Sequence, residues 1–425
     1  MRQRFLTATK DTFRSLGTRN FRLFFLGQLV SQTGTWVQSV AIIWVVLQLT
    51  GDGVALGLAT AAQFLPVLVL GAWAGVVSDR VDRHRFLLGT QAAFAVVALA
   101  FSVLTFTDRL SLPAIYGLSA LFGIVTALDN PARRSLVVEM VGQSDVPNAV
   151  GLNSALMTGS RVAGPAIGGV LITTVGPDWC FAFNALSYIA VLIALARIDR
   201  SQLRSPPRVV RAKGQLRDGF RYVWSTPELR LPLVLLTVIG TLAFEFQVTL
   251  PLLAERTFGG DAGTFTLLYS AMSVGSLAGA LMVARRTDAD TRFLARSALA
   301  LGASMAVLAA APNEWLALVA VVPVGLTSIF LISGSNAVIQ LRADPSMRGR
   351  ALALTAVVFL GSTPIGGPIA GAFSEHLGAR SGIVLGAVAS VAAGAWTLWA
   401  LARLPPTPRE GSTVAPPAAP AVARS

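Results

Sequence analysis

The chain has 425 residues, of which 54% are hydrophobic and only 13% charged, with a net charge of +13. A soluble globular chain carries about a quarter charged residues, so this composition, spread over repeated apolar runs of about 20 residues, excludes an ordinary soluble domain and reads as a polytopic membrane protein. One cysteine, Cys180, excludes an intrachain disulfide, and with only His84 and His376 neither a metal cluster, nor a cofactor, nor histidine catalysis is expected.

In chain order, residues 1–19 form a basic leader, and the first span runs from about Asn20 to Leu49. That run is too long for the apolar core of a signal peptide, so no cleavable one is expected. Further spans are expected near 54–77, 86–106, 112–127 or beyond, 148–175 and 179–196, completing an N-terminal six-helix bundle over 20–196. The stretch 129–147 between spans 4 and 5 reads as a polar, partly helical connection. A polar linker over 197–230 contains Ser205-Pro206-Pro207, an exposed segment. Its later part, LRDGFRYVW from Leu216 to Trp224, is amphipathic: Leu216, Phe220, Val223 and Trp224 share a face, and the segment reads as a helix on the inner membrane surface. Six more spans, near 231–253, 264–284, 293–311, 315–341, 350–373 and 381–404, make a C-terminal bundle over 231–404. The Pro- and Ala-rich tail 405–425 reads as disordered. The fold class is all-α integral membrane, twelve helices in two pseudo-symmetric bundles.

With both chain ends inside, all but four of the 34 Lys and Arg fall on the cytoplasmic side; Arg109, Arg256 and Arg380 lie outside and Arg161 within a span. Such a bias orients a multi-pass protein in the cell membrane. It also answers the net charge without nucleic acid, because the basic residues are strung along one membrane face.

Span 5 contains GSRVAGPAIGG, Gly159 to Gly169, and span 11 echoes it half a chain later as GSTPIGGPIAG, Gly361 to Gly371. Small residues at this spacing let helix backbones approach closely in lipid, and proline bends such a helix. A glycine-faced, bent helix used twice suggests two related halves moving against each other, the organisation of a secondary transporter.

Charges within spans are costly, about 2.5–3.5 kcal/mol at mid-depth on insertion scales, and call for a reason. Arg161 in span 5 reads either as a cavity cation, meeting an anionic substrate group or tuning a nearby acid, or as half of a structural pair. Glu245, in LAFEFQVTLPLL of span 7, reads as a proton carrier that loads from outside and releases inside, or as a structural acid near the outer gate. Asp129, close to Arg133 and Arg134, is expected in a helix-end ion network. Polar cavity candidates are Gln28, Gln32, Gln38, Gln63, Asn153, Asn184, Gln247, Ser335 and Asn336, with Trp36, Trp44, Phe244 and Phe246 available to stack on a bulky substrate. No G-x-x-x-x-G-K-[ST] is present, which leaves an ion gradient as the expected energy source.

Five stretches, lying between Arg19 and Arg230, resemble the major facilitator superfamily. GVVSDRVDRHR, Gly75 to Arg85, is similar to its signature loop between spans 2 and 3, matching at Gly75, Asp79, Arg80 and Arg83; Asp82 stands where the general pattern has glycine. Gly151, Gly164-Pro165 and Gly168-Gly169 fit the span 5 pattern of its proton-coupled antiporters, with Ser160 in place of one glycine. LRDGFRYVWSTPELR, RNFRLFF at Arg19 to Phe25, and DNPARRSLVVEMV at Asp129 to Val141 resemble the branch of enterobactin exporters and macrolide efflux proteins. The span 4 arginine of other drug exporters is absent. The resemblance implies a monomeric, proton-coupled multidrug or siderophore exporter of small organic molecules. It also implies that Gly75, Asp79, Arg80 and Arg83, with Asp129 and Arg133, latch the outward-facing state and part when the protein opens inward. Two other readings stay open: an uptake permease on the same fold, and a membrane enzyme or receptor, for which no catalytic constellation is found.

Overall fold

The computed structural model describes residues 12–204, 215–285 and 290–403, without the side chains of residues 72, 76, 79, 215, 216 and 284. Most of the leader, the Ser205-Pro206-Pro207 segment and the tail 405–425 therefore lie outside the described residues. Among the described residues twelve helical spans are long and apolar enough to cross a membrane, the seventh taken over Pro227–Thr257. They are α1 (Arg19–Thr50), α2 (Gly53–Arg80), α3 (Arg83–Phe106), α4 (Leu112–Met140), α5 (Val146–Thr174) and α6 (Pro177–Ala196). A linker helix, Gln215–Ser225, leads into α7 (Pro227–Leu242), α8 (Ala262–Ala284), α9 (Thr291–Ala309), α10 (Glu314–Arg342), α11 (Arg348–His376) and α12 (Ser381–Arg403).

The helix starts follow capping chemistry. Asp52, Asp82, Asp261, Asp290 and Asn313 each offer a side-chain oxygen to a free backbone N–H in the first turn, which has no partner within the helix. Asp82 thereby accounts for the signature loop's departure from glycine: its carboxylate accepts the Arg85 N–H at 3.1 Å, so capping shapes the turn.

Two expected boundaries change. α4, expected to reach Ala127 or beyond, continues through the stretch read as a partly helical polar connection as far as Met140. Its polar residues are paired against α3, which lets the helix run on below the apolar stretch. Span 7 is not continuous: α7 stops at Leu242, and a second helical piece, Phe246–Leu252, passes into a π-turn at Leu253–Thr257.

The two halves use one packing scheme. α1 packs on α5 and α6, α2 on α4, and α3 on α4 and α6; α7 packs on α11 and α12, α8 on α10, and α9 on α10 and α12. Between the halves, α2 lies along α11 and α5 along α8. Gly57 and Gly367 bring the α2 and α11 backbones together: a methyl carbon on Gly367 would lie 3.1 Å from the Gly57 carbonyl oxygen, and one on Gly57 would strike the Gly367 carbonyl. This close approach is the role that the span 11 glycines suggest in sequence.

The end of the bundle away from the linker helix, here called distal, is sealed. Glu375 on α11 accepts the Gly53 N–H at 2.8 Å, Arg256 donates to the same carboxylate at 2.8 Å, and Arg256 also bonds the Gly51 carbonyl. Gly51 ends α1 in the left-handed region, φ 59°, which turns that carbonyl out toward Arg256. Deeper in, Trp36 meets Tyr269 at 6.5 Å and the Ser273 hydroxyl donates to the Arg161 carbonyl at 3.4 Å. Toward the linker-helix end, called proximal, no hydrogen bond or ion pair joins the halves below Ser273 and Arg161 among the described residues.

Candidate functional site

The break in span 7 sets the site. α7 closes with the Ala243 N–H on the Ile239 carbonyl at 2.8 Å, and the chain restarts as helix at Glu245, whose carbonyl accepts from Val248 and Thr249 at 3.0 Å each. Pro251, inside the short second piece, removes one more donor from it. The Glu245 side chain is 3% exposed, and its Oε1 has no hydrogen-bond partner. Thr363 of α11 lies beside the carboxyl. The carboxyl rests against the α11 glycines: methyl carbons on Gly366 and Gly367 would stand 2.7 Å from Oε1 and 3.5 Å from Oε2. One short stretch of α11 therefore touches the buried acid on one side and α2 of the other half on its opposite side. Phe244, at the break, lies 6.1 Å from Phe359 and 6.2 Å from Phe246, forming an aromatic wall beside the acid.

Arg161 is placed elsewhere. Its guanidinium lies over the Trp36 ring at 5.4 Å, and among the described residues no carboxylate is within ion-pair distance. The expected carboxylate partner is replaced by an aromatic face, because the neighbouring turns of α1 and α8 offer Trp36 and Ser273 and no acid. Glu245 and Arg161 thus share no contact and are not brought together.

Asp129 also departs from expectation. It is 2% exposed and accepts from Thr90 Oγ1 and Gln91 Nε2 of α3 at 2.8 Å each, with Arg133 Nε 3.3 Å away. Since α4 runs on to Met140, Asp129 sits about 16 Å above that helix's end, and among the described residues it makes no contact with the loop's charged side chains. Arg133 bridges onward, donating to Asn130 Oδ1 at 2.6 Å and to Gln28 Oε1 of α1 at 3.3 Å. Gln32 donates to the same Gln28 oxygen at 3.4 Å, and the buried Gln28 Nε2 has no partner. Gln28, Gln32 and Arg133 therefore form one polar cluster in the N-terminal half.

In the loop itself Arg83 is ion-paired with Glu139 of α4, and Asp82 with Arg200. Partial burial pushes the Asp82 carboxyl up, but the Arg85 N–H and the Arg200 and Arg85 guanidiniums outweigh it and hold it below the usual carboxylate range. Gly75 is buried and Arg80 exposed; the Asp79 side chain lies outside the described residues. The span 5 pattern divides. Gly164 and Gly168 press on Trp36 and Val37 of α1, Gly169 presses on Thr266 of α8, and Pro165 is buried with them. Gly151 meets nothing within 4 Å, so it plays no part in the seam that the motif suggests. Gln63 and Gln247 line one crevice with Ser39 and Thr60. Asn153 and Asn336 are half-buried, the latter beside Ser335, whose buried hydroxyl has no partner.

Sequence reasoning missed Glu139, Arg256 and Glu375. Each is an ordinary helix-end charge in sequence, and only the fold brings its partner to it.

The family model described as transmembrane secretion effector matches residues 10–423. The chain belongs to this family of major facilitator transporters. Among relatives of this transporter, macrolide efflux protein A of Streptococcus pyogenes is 24% identical over 86% of the chain and 92% of its own length. The multidrug efflux pump Tap of Mycolicibacterium fortuitum is 27% identical over 83% and 90%. The staphyloferrin A transporter of Staphylococcus aureus is 25% identical over 62% of the chain, a match that spans 66% of that protein. Solved structures share the fold: a point mutant of the peptide transporter POT gives TM-score 0.74, 12% identity, and 90% and 94% coverage. A bacterial homolog of the lysosomal transporter Spinster, inward-facing and occupied, gives 0.72, 15%, and 90% and 96%. The transporter is a multi-pass membrane protein that moves small molecules, and it is not an enzyme.

Proposed function

We propose that this transporter exports an amphipathic small organic molecule from the cytoplasm in exchange for protons, by alternating access, as a monomer in the cytoplasmic membrane with both chain ends inside. The observation that carries the reading is Glu245: a buried carboxyl with one unpaired oxygen, at a broken helix, against the glycines that close the distal seam. An ionised oxygen without a donor is costly in such a place, so Glu245 holds its proton while the distal side is shut. Release toward the proximal side leaves a carboxylate that needs water, which favours parting α11 from α2. The proton's return on the distal side lets the seam close again. A membrane potential contributes about 2.3 kcal/mol per charge per 100 mV to each such cycle.

The substrate class rests on the relatives named for macrolides, multiple drugs and a siderophore, and on the mixed lining. Phe244 and Trp36 offer apolar faces, Gln28, Gln32, Gln63, Asn153 and Asn336 offer amides, and Arg161 offers a cation to an anionic group. The signature loop, with Asp79, Arg80 and Arg83, serves as the latch that closes the proximal side in the alternate state.

The test is macrolide accumulation in everted vesicles driven by an imposed pH gradient. Glu245→Gln is expected to abolish gradient-driven accumulation while retaining macrolide exchange. Gradient-driven transport at the normal rate in Glu245→Gln would overturn the assignment.

A further inference from the structure

The linker helix Gln215–Ser225 presents two unlike faces. One is fixed to the C-terminal half. Val223 is 1% exposed and packs with Leu229, Leu233, Ile339, Ala343, Ala351 and Leu354. Gly219 lies under Arg350, where a methyl carbon would stand 3.0 Å from the Arg350 Cβ. The Tyr222 hydroxyl accepts the Asp344 N–H at 2.9 Å, and Arg350 reaches Asp218 at 3.7 Å. The helix packs on α7 and α11, and no contact to the N-terminal half is among those described for it.

The other face is uncovered. Phe220 and Trp224 are 48% and 49% exposed and stack on each other, 5.5 Å between centroids at 16°. Arg217 and Arg221 are exposed, and neither has an ion-pair partner among the described residues. At about 100° per residue, the aromatic pair lies about 100–140° round the helix from Gly219, and the arginines about 160–200° round. Going outward from the protein, the surface therefore runs from apolar contact, to aromatic rings, to guanidiniums. The one acid on the described part of the helix, Asp218, is turned to Arg350.

Placement decides what such a surface meets. Only Thr226 separates the linker helix from α7, which begins at Pro227, so the helix lies where span 7 leaves the bilayer. Aromatic rings prefer the headgroup boundary, and neighbouring arginines reach phosphate oxygens. We propose that this face docks on the bilayer surface and selects anionic phospholipid headgroups, with Phe220 and Trp224 seated at the acyl boundary and Arg217 and Arg221 on the phosphates. Because the helix rides on α7, α10 and α11, headgroup charge then acts on one half of the transporter and not on the other.

The inference does not depend on the proton or substrate assignments, and its test reads no transport. The full chain is reconstituted in nanodiscs containing brominated phosphatidylglycerol or brominated phosphatidylcholine. Trp224 emission is taken as the difference between the wild-type chain and Trp224→Phe, which keeps an aromatic ring at the position. The expected result is stronger quenching by the brominated phosphatidylglycerol. Arg217→Gln with Arg221→Gln should weaken that preference about thirtyfold, on the usual attraction of a basic residue to an anionic surface, while quenching by phosphatidylcholine persists. Equal quenching by both lipids in the wild-type chain, or no quenching of Trp224 by either, as when a protein partner covers the face, would overturn the proposal.

Discussion

A side chain at Gly57 separates the two conformations more directly than any other single change. In the present structure a β-carbon there would strike the Gly367 carbonyl oxygen and would lie 2.6 Å from its carbonyl carbon and 2.8 Å from the Pro368 Cα. All of these are backbone atoms of the opposite half, which no rotamer change can move. Gly57→Val therefore penalises only the state in which α2 and α11 touch. Overpacking of this kind costs about 1–3 kcal/mol, which corresponds to about a 5- to 150-fold shift in the ratio of two states. Accessibility reads that ratio. In a Cys180→Ser chain, Ser39→Cys places a thiol in the crevice beneath the distal seal, where Ser39 lies with Gln63 and Gln247. A membrane-impermeant maleimide added to intact cells should label it at least fivefold faster when Gly57→Val is present, the lower end of that shift. An unchanged labelling rate in a Gly57→Val protein of normal thermal stability would refute the assignment of this contact to the distal seal.

Three further outcomes follow from the same geometry. Asp129→Ala strands the buried Arg133 guanidinium and should cost about 3–5 kcal/mol of stability; Asp129→Asn combined with Arg133→Gln should recover part of it in thermal unfolding, and equal losses in the single and double variants would contradict the pairing. Arg161→Gln should weaken the apparent affinity for an anionic substrate while leaving pH-gradient-driven transport of an uncharged one intact, as vesicle assays of both would read. Asp82, with its carboxyl held low in the folded protein, contributes stability that is present above the unfolded carboxylate pKa of about 4. That contribution is lost as pH falls through its lower folded value. Asp82→Asn should therefore flatten the acid limb of the thermal-stability profile, and an unaltered limb would argue against the Asp82–Arg200 tie.

The fold was readable because lipid imposes simple rules. Span length and the paired glycine runs at Gly159–Gly169 and Gly361–Gly371 report directly on helix number and helix contact. The site was less readable. Nothing between Leu242 and Glu245 is a glycine or proline, so the break at Glu245 has no mark between those residues, and Pro251 lies more than a turn beyond it. Asp129 and Arg133 could be seen as a charged pair, but their depth depended on how far α4 continues, and that follows from partners on α3. Arg256 and Glu375 each look like routine end-of-helix charges; they meet because the π-turn Leu253–Thr257 and the last turn of α11 come to the same corner. Gly159 shows the converse error, a glycine of the span 5 run with open space where contact was expected.

Transport requires the two halves to part at the distal end. Thr173 of α5 and Gly263 of α8 face each other there, with the Thr173 Cγ2 3.6 Å from where a Gly263 β-carbon would stand. Thr173→Cys and Gly263→Cys in the Cys180→Ser chain should form a disulfide under mild oxidation. The predicted result is that gradient-driven efflux stops on oxidation and returns on reduction. Undiminished efflux with the cross-link complete would contradict the account.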